Sequence, residues 1–169
     1  MGETATRPSD YWIAPALEAT LILIVALCGW LAHQPLVFAS LGPTAYELVE
    51  TPERRSSRPY NIIVGNAVAL VAAYAALWIT HAWAAPGVSA GGVPLARAWA
   101  AALAALLTVL FTLALKSTQP AALSTTLLVS LGVMQTVRDG IFIMTVVVCM
   151  ALLGIPIRRW RQSQRQAVE

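Results

Sequence analysis

Charge is what this chain has least of. Only 11% of its 169 residues are charged, and only two are cysteine. Soluble domains carry about 25% charged residues, so most of this chain is not built to face water. Cys28 and Cys149 are too few for a disulfide scaffold. With His33 and His81 as the only histidines, a zinc or iron centre has too few ligands. The net charge of +3 comes from short clusters beside apolar runs, not from a basic face that would grip nucleic acid. There is no P-loop, no G-x-S-x-G, no H-E-x-x-H and no paired-carboxylate constellation. Neither an enzyme nor a metal or cofactor is expected.

What the chain has in quantity is apolar surface: 58% of residues, with a mean hydropathy of +0.69. That composition predicts an all-α integral membrane protein in contact with the lipid bilayer. A hydrocarbon core of about 30 Å takes about 20 helical residues to cross. Four runs are that long: 13–31, 61–83, 97–115 and 140–157. Two others, 35–49 and 120–134, have fifteen residues each, and each begins at a Gln-Pro pair, Gln34-Pro35 and Gln119-Pro120. The expected fold is therefore four full transmembrane helices plus two short interrupted membrane segments. Residues 1–12 read as an N-terminal tail, 13–157 as the transmembrane domain and 158–169 as a basic tail. The run 13–31 is too long for a cleaved signal peptide and reads as a retained span.

The basic residues choose between two layouts. If only the four long runs cross, the eleven lysines and arginines divide six to five and give no orientation. If the short segments cross as well, Arg7, Arg54, Arg55, Arg58, Lys116, Arg158, Arg159, Arg161 and Arg165 share one side, against Arg97 and Arg138. The positive-inside bias favours the second layout. It puts both termini in the cytoplasm, here of a bacterial inner membrane, and makes the two halves an inverted repeat, a recurring transporter design. Trp12 and Trp160 then lie at cytoplasmic span ends and Trp30, Trp83 and Trp99 at the opposite ends, where tryptophan prefers to sit. Gly65, Ala69, Ala73 and Ala76 form a small-residue stripe that allows close helix packing, within the chain or against a partner.

Polar residues inside such segments are the candidate site. Glu18, well inside the first run, is a candidate proton site or an interfacial carboxylate that reaches water; His33 is the other titratable candidate. Lys116 precedes the second short segment and either reaches back to the cytoplasmic surface or joins an anion mouth, since the Gln119-Pro120 start leaves helix N–H groups free. Ser124 and Thr125 add hydroxyl donors there. In the first half Ser40, Gly42, Pro43 and Thr44 stand where Gly42-Pro43 is expected to interrupt a helix. Asn61 and Asn66 add polar lining. Cys28 and Cys149 read as small buried apolar residues, and Arg138-Asp139 as a local ion pair.

Phe38-Ala39-Ser40-Leu41-Gly42-Pro43-Thr44-Ala45 and Arg58-Pro59-Tyr60-Asn61-Ile62-Ile63-Val64-Gly65-Asn66 resemble two stretches of the HPP family of small integral membrane proteins. The family's naming His-Pro-Pro motif has its counterpart at Gln119-Pro120-Ala121, where only Pro120 is kept. Asn66 likewise stands where the family commonly has a histidine. Plant plastid members are implicated in nitrite transport, so the resemblance implies a transporter or channel for a small inorganic anion, nitrite first. A bundle of this size is expected to form a homo-oligomer. The rival expectation is a non-transporting subunit that docks a partner through its small-residue helix face.

Overall fold

A computed structural model describes residues 10–31 and 40–166. Among these residues there are six α-helices and no strand: α1 (Asp10–Leu31), α2 (Leu41–Glu50), α3 (Pro59–Ile79), α4 (Leu95–Ala114), α5 (Ala121–Ser130) and α6 (Val137–Gln166). Two short 3-10 turns, Ala82–Ala84 and Val88–Ala90, lie between α3 and α4. Four helices, α1, α3, α4 and α6, are long and apolar enough to cross a membrane.

Local chemistry sets the helix ends. Pro59 occupies the first turn of α3, where its missing N–H removes no helical bond. At the end of α4, Ser117 N donates to Thr112 O and Lys116 N to Leu113 O, a Schellman turn with Lys116 in the left-handed position at φ 52°. The end of α5 repeats it: Val133 N donates to Leu128 O and Gly132 N to Val129 O, with Gly132 at φ +79°. At the start of α6 a capping box closes between Thr136 and Asp139, each side chain accepting from the other's N–H. Thr136 is thereby the N-cap of α6 and Asp139 its reciprocal partner in the first turn. Arg138 lies over the Phe142 ring at 5.3 Å, and among the described residues no ion pair joins Arg138 to Asp139, which corrects the expected local pair.

The helices alternate in direction. Ser117 Oγ, just past α4, donates to Asn61 O in the first turn of α3, while Arg97 in the first turn of α4 donates to Ala85 O beyond the end of α3. So α3 and α4 are antiparallel. The α5 segment leaves from beside Gly65, where Gln119 packs, and ends at Ser130, whose carbonyl Arg97 holds. It runs from one end of the bundle to the other. The last helix returns, since Arg158 and Gln162 donate to Pro52 O and Arg161 to Val49 O. Arg54, Arg55, Arg58, Lys116, Arg158 and Arg161 thus gather at one end, called the basic end below, and Arg97 and Arg138 at the other. With Arg7 outside the described residues, these positions do not conflict with the nine-to-two layout. The residues expected as a tail from 158 continue α6 as helix and brace the α2–α3 loop.

At the centre is α3, packed against α4, α5 and α6, while α2 packs against α1, α5 and α6. Gly65, Ala69, Ala73 and Ala76 are all buried, so the small-residue stripe is occupied within the chain and offers no open face to a partner. The outer surface is apolar, with Leu23, Leu27, Val71, Leu106, Leu110, Ile141 and Leu152 exposed. Cys28 and Cys149 are exposed there too, a correction to the buried positions expected of them. In lipid an apolar side chain gains nothing by turning inward, so hydropathy alone does not sort such residues.

Candidate functional site

Three polar assemblies line the inside of the bundle, in order from the basic end to the opposite end. The first is built by the α2–α3 loop and the approach to α5. Ser57 turns this loop over by donating to Pro52 O at 3.0 Å or to Arg54 O at 2.8 Å. Asn61 Nδ2 donates to Arg55 O and Asn61 O accepts from Ser117 Oγ at 3.3 Å. The loop carries Ser56 against Glu47, whose carboxylate accepts from the Ser56 hydroxyl. Gln119, its amide nitrogen turned inward, donates to Ser56 O at 2.8 Å and to Glu47 Oε2 at 2.9 Å. Close approach of Gln119 depends on Gly65: a Cβ there would stand 2.6 Å from Gln119 Cβ.

The second assembly is at mid-bundle, where α2, α3 and α5 meet. Thr125 Oγ1 lies 2.6 Å from Asn66 Oδ1 and 2.9 Å from Ser40 Oγ. A hydroxyl has one proton and an amide oxygen only accepts, so Thr125 donates to Asn66 and accepts from Ser40. Asn66 Nδ2 donates on to Ile62 O at 2.8 Å, and Thr44 Oγ1 to Ser40 O at 2.9 Å. All four side chains are buried, and none carries a charge. Beside them Thr108 of α4 and Thr126 of α5 share a hydrogen bond of 2.8 Å.

The third assembly closes the opposite end. Arg97 is 0% exposed. Its guanidinium donates to Ser130 O at 3.2 Å, to Ala85 O at 2.7 Å and to Gln135 Oε1, while its Nε has no partner. The acceptors belong to three separate segments, so one side chain ties the α3–α4 loop and the end of α5 to α4. Gly132 permits this, because a Cβ there would stand 2.8 Å from Arg97 Cζ.

Measured against the sequence expectations, Ser40, Thr44, Asn66 and Thr125 come together, and Asn61 and Gln119 join a separate group at the basic end. Ser124 is only half-buried and takes no part in the hydrogen bonds that join Thr125 to Ser40 and Asn66, while Pro120 is exposed at the start of α5. Lys116 is exposed at the basic end, beside buried Ser117. Gly42 and Pro43 stand in the first turn of α2, where a proline's missing N–H is not needed; the residues before Ser40, where an interruption would show, lie outside the described ones. Glu18 is half-buried on α1, within electrostatic reach of Glu50 and remote from the mid-bundle cluster. His33 lies outside the described residues.

Two residues were missed. Glu47 sits near the end of a short apolar segment and reads as an edge residue, yet the 51–58 loop and α6 fold over it to leave it 7% exposed. Its signal was positional: Ser40, Thr44 and Glu47 follow i, i+4, i+7 spacing, one face of a helix. Arg97 was counted only for orientation, and nothing local marks its burial.

No curated protein and no solved structure matches the chain. A match to the family described as HPP, transmembrane region, runs over residues 4–165, which includes all six helices up to the last turn of α6. On that match the resemblance carried by the Gly42-Pro43, Pro59-Asn61-Gly65 and Gln119-Pro120 stretches becomes membership: the chain belongs to the HPP family of integral membrane proteins.

Proposed function

We propose that this protein is a membrane transporter or channel for a small inorganic anion, with nitrite the first substrate to test. The family points to a transporter-type membrane protein and away from an enzyme. The observation that carries the finer reading is the neutral cluster of Ser40, Asn66 and Thr125, donated by three helices at mid-bundle. Polar groups at membrane depth are costly unless they serve a path or a partner. Hydroxyl and amide donors suit a small anion, because they hold it without the grip of a fixed cation and so let it leave. Turning the Ser40 or Thr125 hydroxyl by one rotamer frees a donor without moving a helix.

In this reading anions meet Lys116 and the Gln119-Pro120 helix start at the basic mouth, then pass Asn61 toward Ser40, Thr125 and Asn66. Ser124, Gly42, Pro43 and Thr44 border the route. The basic end is cytoplasmic, following the positive-inside bias, in a bacterial inner membrane, and the bundle works as a homo-oligomer.

The test is nitrite uptake into sealed liposomes that hold only this protein, with Lys116→Ala and Thr125→Val beside the parent. Both variants are expected to fold and to lower the initial rate, Thr125→Val more. Unchanged uptake in both would remove these residues from the path.

A further inference from the structure

Glu47 is the buried titratable group for which the anion path has no use as a charge. It lies on the inward stripe of α2 with Ser40 and Thr44, between the basic mouth and the mid-bundle cluster. Its two partners, the Ser56 hydroxyl and the Gln119 amide, are neutral. The charged groups around it come from every neighbouring element. Arg54, in the α2–α3 loop, is exposed and acts from a distance. On α6, Arg158 and Arg161 donate to the carbonyls of Pro52 and Val49. Glu50 and Glu53 follow along the chain, and Glu18 on α1 faces Glu50. Among the described residues no cation forms an ion pair with Glu47.

A carboxylate enclosed this way repels an anion passing beside it, and the repulsion is large where water is excluded. Adding a proton removes that barrier. The Gln119 side chain suits both states, because an amide offers donors on one edge and an acceptor on the other. Toward a carboxylate it turns its nitrogen, which also holds Ser56 O. Toward a carboxylic acid it turns its oxygen, and the bond to Ser56 O is given up. The protonation state of Glu47 is thereby linked to whether the start of α5 is tied to the loop over the basic end.

We propose that Glu47 binds the proton that accompanies the anion, passing it to and from the basic end in step with a swing of the Gln119 amide. This rests on the anion-transport reading and adds its coupling ion: one proton with one monovalent anion, moving no net charge.

The experiment has two arms. Infrared difference spectra of purified protein, stepped in pH through the neutral range, need no substrate. A carboxylic-acid carbonyl band is expected on acidification in the parent and is absent from Glu47→Gln. No Glu47-dependent band anywhere in that range would overturn the proposal. In liposomes, an inward proton gradient is expected to raise nitrite uptake by the parent several-fold over the leak of empty vesicles, at unchanged membrane potential. Glu47→Gln loses that response, while Glu47→Asp, which keeps the carboxyl group, retains it at a lower rate. A full gradient response in Glu47→Gln would overturn the proposal. If the parent moves no nitrite, the transport reading fails, and the infrared arm still decides whether Glu47 takes up a proton. If Glu47→Gln does not fold, Glu47→Asp serves in both arms: its band must shift in position and its gradient response must persist. An unshifted band or a lost response counts against Glu47.

Discussion

Arg97 and Glu47 are both charged side chains inside the bundle, one at each end, and among the described residues neither forms an ion pair. Their surroundings differ in a way that follows from their chemistry. Arginine keeps its proton at any physiological pH, so a buried guanidinium has to be matched by fixed acceptors. Arg97 is matched by acceptors on three segments. A carboxylate has the further option of taking a proton, and Glu47 is met by a hydroxyl and an amide that can each reverse their role. One end of the molecule is a permanent clamp, and the other is held by bonds that can change hands.

The clamp is where the largest effect is expected. Arg97→Met leaves the carbonyls of Ala85 and Ser130 and the Gln135 amide oxygen without their donor. A loss of about 3–5 kcal/mol is expected, seen as a lower melting temperature in detergent. Arg97→Lys recovers little of it, because a single ammonium cannot reach three segments as a planar fork does. If Arg97→Met melts like the parent, the clamp is not what holds this end.

Gly132→Ala attacks the same clamp from the other side. It combines a left-handed backbone at φ +79° with a Cβ 2.8 Å from Arg97 Cζ, and about 2 kcal/mol of destabilisation is expected. In an Arg97→Met background only the part of that loss due to the guanidinium should shrink, since the Cβ would still stand 2.9 Å from Gly87 Cα. Additive melting shifts in the double variant would contradict the direct contact.

Thr125→Val probes the neutral middle. It removes the hydroxyl that joins Ser40 to Asn66 at a cost of about 1–2 kcal/mol. Against the Arg97 variants it should show the opposite balance, with a smaller melting shift and a larger drop in uptake. The smallest effect concerns Lys116. As a non-glycine residue at φ 52° it strains the end of α4, and Lys116→Gly should stabilise the fold by up to about 1 kcal/mol. Uptake should fall in the same variant if the ammonium draws anions to the mouth. A variant that melts higher and transports less separates the two roles of one residue.

How much of this was legible in the sequence depended on whether the cause was local. The four long helices were readable because span length and hydropathy are local properties. The neutral cluster was half legible: Ser40, Asn66 and Thr125 were each flagged as polar residues at membrane depth, but their meeting point depends on how α2 lies against α5. Glu47 was legible only as a position on the Ser40–Thr44 face and Arg97 not at all, because their burial is made by distant pieces, the 51–58 loop over one and the Gly87 and Gly132 loops over the other. The misplaced cysteines share one physical cause. Outside the bundle is as apolar as inside, so the rule that sorts soluble cores does not apply.

The most direct test of the account is the initial rate of nitrite uptake by liposomes that contain this protein alone. The outside medium should be slightly more acidic than the lumen, with the leak of the neutral acid measured in empty liposomes and subtracted. The account predicts saturable uptake above that of empty liposomes, reduced in Thr125→Val protein shown to be folded. Uptake no greater than in empty vesicles, from parent protein shown to be folded and inserted, would contradict it.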